Sequence, residues 1–331
     1  MTETGAQLFA RLESRRSLRD VEPRLFPENV GPENGEVVEL FGPEGSGKSE
    51  LLYLLVCRCV LPRSAGGLEL SVVFVDTDFS LDLLRLVTIL DHKLQHTTAP
   101  CGAGGPDEAL LRSCLSRVLV LHCSSSSQLL LTLHFLETSL AARPDLSLLL
   151  IDSISAFYWL DRAEGGASYA KQEEKLNRCS ELLGRLLRDY KITVFASCHS
   201  IRQHSSSVSS SAPSSSSAPS SSSAPSSSSA PSSSSGPSAS SSFSAPSSSS
   251  SSSSSSVDQD RPYLCRSWQK LVSHRLTCSK TETVLKMATG AAPGPERQKD
   301  TIFTVHCSSR NRGSRTNRFI ITDSGVEFIK D

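Results

Sequence analysis

No sign of charge dominates this 331-residue chain, in which Lys plus Arg and Asp plus Glu each total 34. That balance excludes a protein held on a polyanion by its overall charge, so any nucleic-acid contact has to be local. No CxxC pair occurs among the ten cysteines, at 57, 59, 101, 114, 123, 179, 198, 265, 278 and 307. Several lie inside apolar runs, so they read as reduced core thiols in a reducing compartment, and no zinc site is expected. The opening residues MTETGAQLFARLESRR lack the apolar region of a secretion signal. No stretch approaches the ~18 uninterrupted apolar residues that a membrane span needs. The expectation is a soluble intracellular protein with no membrane partner. No block of consecutive basic residues is present to choose between nucleus and cytosol.

Residues 205–256 repeat an SSSSAP unit and then run into serine alone, a composition with almost nothing to bury. This segment reads as a disordered low-complexity insertion, with a phosphorylated segment as the alternative. Without it roughly 280 residues remain, enough for one well-buried α/β core. The expected organisation is an N-terminal arm at 1–35, a core at 36–204, the insertion at 205–256, and the rest of the same domain at 257–331. That last part carries thirteen basic and eight acidic residues, which makes it the basic end.

Within the core, EVVELFG (36–42), VVFVD (72–76), RVLVLHC (117–123), LSLLLID (146–152) and ITVFAS (192–197) are short, nearly continuous apolar runs. Such runs predict strands covered on both faces, and they alternate with longer helical patterns, the signature of a mostly parallel sheet flanked by helices. Helices are expected after residue 47, after Ser80 as N-cap, from near Ser127, and over about 168–190. Leu83, Leu84, Val87 and Leu90 fall at helical spacing and are expected in the core. A short helix around Trp268 leading into a strand is expected, and TIFTVHC and RFIITDSGVEFI give two more strands; these should extend the sheet in antiparallel fashion. Leu8, Phe9 and Leu12 suggest a docking helix or arm.

GPEGSGKS at 42–49 fits the spacing GxxxxGK[ST] of a phosphate-binding P-loop. Gly42, Gly45 and Gly47 let backbone amides turn inward where a Cβ would obstruct, and Pro43, Glu44 and Ser46 complete the loop. Lys48 would reach the β- and γ-phosphates, and Ser49 would offer its hydroxyl to Mg²⁺. The helix that follows points its positive end at the nucleotide. Asp152, closing LSLLLID, stands where a carboxylate orients the water shell of the Mg²⁺. ATP and Mg²⁺ are therefore the expected cofactors. Hydrolysis further needs a carboxylate to polarise water. Asp78 in VFVDTDF is the candidate, while Asp76 reads as a cap of the strand end, and both acids being merely solvated stays open.

GPEGSGKSELLY, VFVDTDFSLDLLRLVTIL, LLLIDSISAFYWLDR and RPYLCRSWQKLVSHRL together resemble the eukaryotic paralogues of the RecA-type recombinase, over nearly everything except the serine tract. The resemblance implies a RecA-like P-loop ATPase core, a mostly parallel sheet with C-terminal antiparallel strands. It implies a nuclear role in homologous recombination repair of double-strand breaks and stalled forks. The implied partners are the other recombinase paralogues, most directly the D-type paralogue, and single-stranded or branched DNA within that complex. Larger members of the family carry an N-terminal helical DNA-binding domain. This chain shows none, which fits a terminal subunit better than a filament former. Two positions depart from the active recombinases. Asp78 stands where they have glutamate, about 1.5 Å short of the water to be activated. His199 stands where they have a glutamine that senses the γ-phosphate, and its reach and charge differ. Both departures predict weak or absent DNA-dependent hydrolysis.

Arg310, Arg312, Arg315 and Arg318 in RNRGSRTNR surround a glycine turn and could grip phosphates without sequence choice, or could form a solvated hairpin tip. Among the aromatics, Phe157, Tyr158, Trp159, Tyr263 and Trp268, a base-stacking role is open for Tyr158 or Trp159, against core or subunit-interface packing. The leading functional expectation is an assembly subunit of a recombination mediator complex. The alternative is an active ATPase that remodels recombinase filaments. A P-loop kinase of a small metabolite is disfavoured, because the insertion lacks the arginines of a nucleotide lid and the strands after residue 261 have no place in that fold.

Overall fold

Apolar runs of five to seven residues are too short for helices and pair as strands. In the computed structural model, which describes residues 4–6, 9, 17–95, 108–200, 264–282 and 301–329, five of them make a parallel sheet: β1 (Val37–Gly42), β2 (Ser71–Asp76), β3 (Val118–His122), β4 (Leu146–Asp152) and β5 (Thr193–His199). The sheet order is β3-β2-β4-β5-β1, continued by β6 (Val272–Glu282), β7 (Thr301–Ser309), β8 (Gly313–Thr322) and β9 (Gly325–Phe328). Every residue of β1, β2 and β4 is buried, as their unbroken apolar runs predict. β3 has the same kind of sequence but is only half-buried, because it forms the edge of the sheet.

Neighbouring strand residues face opposite sides, so two cores form. Val38, Leu40, Phe74, Leu150 and Phe195 pack with α1 (Lys48–Val60) and α2 (Leu83–Gln95) on one face. Val37, Phe41, Val73, Leu149 and Ile151 pack with α4 (Ser126–Ala142), α6 (Tyr169–Tyr190) and Trp268 on the other. α3 (Glu108–Leu115) precedes β3, and α5 (Tyr158–Glu164) follows β4. Among the described residues no helix is long and apolar enough to cross a membrane. The nine described cysteines are all buried and none is in a disulfide, and burial pushes the Cys57 and Cys278 thiols up to about 12. That matches the reading of core thiols.

Several local expectations change. β6 joins β1 in parallel, with Leu276 opposite Leu40, and only from β7 onward is the sheet antiparallel. α7 (Arg266–Leu271) leads directly into β6. Ser80 is not the N-cap of α2. The helix starts at Leu83, the Asp82 carboxylate accepts from the Arg85 N–H at 2.9 Å, and Asp76 accepts from the Ser80 and Leu81 N–H groups at 3.1 and 3.3 Å. With that start the apolar stripe is Leu86, Ile89, Leu90 and Leu94. Leu83 and Leu84 stand 51% and 80% exposed, and Val87 is half-buried, so of the four leucine and valine positions expected inside only Leu90 is core. The cap of α4 is Ser125, whose hydroxyl accepts from the Gln128 N–H, two residues before the expected start.

Trp268 is fully buried, and its indole N–H donates to Glu39 Oε1 at 2.7 Å. The other oxygen of Glu39 accepts from Arg275 Nε at 2.5 Å, so this carboxylate buried in the centre of β1 is paired on both sides. Leu8 and Leu12 lie outside the described residues, and Phe9 is exposed. Leu18, Val21, Leu25 and Phe26 are buried against the first core.

Candidate functional site

The P-loop leaves β1 at Gly42 and enters α1 at Lys48. Gly45 and Gly47 have φ of 70° and 86°, a region that side chains disfavour. A Cβ on Gly47 would lie 3.1 Å from the Phe319 ring, and one on Gly42 would lie 2.3 Å from the Cys278 carbonyl oxygen. The back of the loop is thus closed by β6 and β8. A Cβ on Gly45 would meet nothing within 4 Å, so the front is open. Ser46 Oγ donates to the Pro43 carbonyl at 2.7 Å, which tightens the turn. Lys48 Nζ lies across the loop and donates to the Gly42 and Pro43 carbonyls at 2.9 and 2.8 Å. Burial pushes the Lys48 ammonium below the usual lysine range.

Asp152 ends β4 beside the loop, 5% exposed. Its Oδ2 accepts from Ser49 Oγ at 3.0 Å, and its Oδ1 accepts from Ser197 Oγ on β5. Burial raises the Asp152 carboxyl above the usual range, the two serine hydroxyls oppose that rise, and Asp78 adds to it. The donor set meets the demand of a phosphate-bound Mg²⁺: an open glycine turn, an ammonium, a helix N-terminus, one hydroxyl and one carboxylate among oxygen ligands. The residues present fit ATP with Mg²⁺.

Asp78, in the bend just after β2, and His199, at the end of β5, flank β4, and the structure brings them together. His199 Nε2 lies 3.6 Å from Asp78 Oδ2, with the side chains 43% and 31% exposed. Ser153 Oγ donates to the same Asp78 oxygen at 3.3 Å and lies 3.3 Å from Ser155 Oγ. Ser155 Oγ accepts the His199 backbone N–H at 3.0 Å, closing a ring of polar groups. Asp76 is a different kind of acid. It is buried, holds the two N–H groups that precede α2, and faces His122 Nδ1 at 3.4 Å. It caps the strand end, and Asp78 alone of the pair reaches the site.

Three of the four C-terminal arginines have a use the sequence reading did not consider. Arg312 donates to the Gly31 carbonyl at 3.0 Å and to Glu33 at 2.7 Å. Arg315 donates to Asn29 Oδ1 at 2.6 Å, and Arg310 to the Lys270 and Gln269 carbonyls at 2.9 and 2.5 Å. Arg312 and Arg315 fasten residues 29–33 to β8, while Arg310 fastens the end of α7. Arg318 is exposed on β8. Phe157 is buried, Tyr158 is half-buried with Arg162 over its ring, and Trp159 is 60% exposed rather than packed in the core. Tyr263 lies outside the described residues.

Sequence reasoning passed over Ser197 and Arg85. Ser197 was findable, since it sits two residues before His199 and strand alternation puts both on one side. Arg85 bridges Glu50 in the first turn of α1, at 2.9 Å, to the Thr322 carbonyl at 2.6 Å. Nothing local in the sequence signals a contact across that separation.

The family model described as Rad51 matches residues 28–220. The DNA repair protein XRCC2 of Mus musculus is 38% identical over 326 residues, covering 98% of this chain and 97% of the mouse protein. The DNA repair protein XRCC2 homolog of Arabidopsis thaliana is 27% identical over 57% of this chain and 58% of its own length. The DNA repair and recombination protein RadA of Methanocorpusculum labreanum is 30% identical over 56% of this chain and 57% of its own.

Proposed function

The chain belongs to the Rad51 family, and from that premise we propose that it is a subunit of a recombinase-paralogue complex acting in homologous recombination repair of double-strand breaks and stalled forks. Its direct partner is the D-type paralogue, and the complex engages single-stranded or branched DNA in the nucleus. Residues 36–204 and 257–331 form one RecA-like domain that the serine tract interrupts.

The observation that carries the mechanism is the contrast between the two sides of the site. Lys48 and the loop amides would hold phosphate oxygens, Ser49 would hold Mg²⁺, and Asp152 would orient its water shell. When bound, ATP with Mg²⁺ would supply the charge that these groups are placed to meet. Asp78, held by Ser153 and facing His199, is poorly placed to polarise an attacking water, and this supports nucleotide binding with weak or absent hydrolysis. The loop then serves mainly as a structural part of the assembled subunit and not as a motor. DNA contact through phosphates rests on the complex as a whole, since Arg310, Arg312 and Arg315 already hold protein groups.

The test is to purify the chain with its paralogue partner, identify the nucleotide that co-purifies in this subunit's site, and follow Lys48→Ala. The expected result is bound nucleotide in the unaltered chain, with partner binding and repair largely retained in the variant. Loss of both partner binding and repair would sink the assembly reading. DNA-stimulated phosphate release that disappears in Asp152→Asn would replace it with an ATPase that remodels recombinase filaments.

A further inference from the structure

We propose that Ser197 is a positioning residue for the metal side of the site, fixing the Asp152 carboxylate so that its outer oxygen faces the ion held by Ser49. The inference rests on the nucleotide-site reading above and adds a residue from β5 to it. Asp152 ends β4, and Ile151 pairs with Ala196 across the β4–β5 ladder, which sets Ser197 beside the carboxylate. The Ser197 side chain is fully buried, and its Oγ donates to Asp152 Oδ1. Ser49, from the first turn of α1, takes Oδ2 at 3.0 Å.

One carboxylate is therefore gripped by hydroxyls from two separate elements, one on each oxygen. The Ser49 hydroxyl lies on the P-loop side, where it would also meet a bound ion. Ser197 lies on the far side, where solvent does not reach, and is the donor that stays in place when an ion takes the near side. Without it a buried carboxylate oxygen has no donor, and the group can turn about its Cβ–Cγ bond away from the ion. The backbone of Ser197 is tied independently, its carbonyl accepting from the Ile154 N–H at 2.9 Å, so changes to the side chain isolate the hydroxyl.

The experiment titrates the full chain with a fluorescent, non-hydrolysable ATP analogue, once with Mg²⁺ and once with EDTA, and takes the ratio of the two affinities. Losing a hydrogen bond to a charged group predicts that Ser197→Ala and the near-isosteric Ser197→Cys lower this ratio about tenfold or more. Binding in EDTA should stay within about twofold, because the P-loop amides are untouched. Ser197→Thr, which keeps the hydroxyl, should keep the ratio. If Ser197→Ala fails to fold, the cysteine variant carries the comparison. A full ratio in the alanine or cysteine variant, equal losses in Mg²⁺ and EDTA in the cysteine variant, or a threonine variant as impaired as alanine would each overturn the proposal. An unaltered chain with no Mg²⁺ advantage would overturn the nucleotide-site reading and this inference together, and is recognised because the fault then lies in the control.

Discussion

On the P-loop side of the site, Asp152 is 5% exposed and both its oxygens accept from serines on other elements. On the opposite side, Asp78 and His199 are 31% and 43% exposed and approach to only 3.6 Å. The first arrangement is fixed by packing: Cys278 and Phe319 close the back of the loop, and Arg85 ties the first turn of α1 to the β8–β9 turn. The second is a ring of side chains at the rim, in which Ser153 reaches one oxygen of Asp78 at 3.3 Å and the Asp78 and His199 side chains stay partly exposed. Binding geometry here is built into the fold, while the groups that would drive hydrolysis are not.

The largest blow to the rigid side should come from Gly47→Ala. Its φ of 86° and the Phe319 ring 3.1 Å from the new methyl leave no relaxed geometry. About 2–4 kcal/mol of stability should be lost in urea unfolding, from left-handed strain and overpacking together. A loss under about 0.5 kcal/mol, the level of an ordinary surface change, would mean that β8 does not buttress the loop.

Next comes Asp152→Asn, which removes the charge but keeps the shape. It should weaken Mg²⁺-dependent nucleotide binding by roughly a hundredfold while leaving binding in EDTA nearly unchanged. An equal effect in both conditions would show that Asp152 supports the loop and not the metal.

Smaller by design is Asp78→Ala. Nucleotide affinity should move by less than about twofold and stability by less than about 0.5 kcal/mol, as for a partly exposed pair. A drop approaching that of Asp152→Asn would erase the distinction between the two sides.

The parallel sheet was legible in the sequence because buried strands need continuous apolar runs, and the loop was legible because phosphate binding needs glycine at fixed spacing. Leu83 and Leu84 were misplaced because helical spacing alone leaves the start of the helix undefined. Asp82 and Asp76 set that start through their carboxylates. The parallel entry of β6 was hidden because its partner β1 lies far earlier in the chain, so the pairing leaves no local signal. Arg312 and Arg315 look like phosphate ligands in isolation. Their partners near residues 29–33 lie some 280 positions earlier in the chain, so only tertiary structure reveals them. The meeting of Asp78 and His199 was anticipated as two separate departures and not as a pair, for the same reason.

The central claim is that this chain holds nucleotide without turning it over. It is tested most directly by comparing the purified paralogue complex with one carrying Asp152→Asn in this chain, measuring in the same samples the nucleotide in its site and the DNA-stimulated release of phosphate. The account predicts that occupancy of the site falls sharply while phosphate release agrees within about twofold, a barrier change of under half a kcal/mol. Phosphate release that collapses together with occupancy would contradict it.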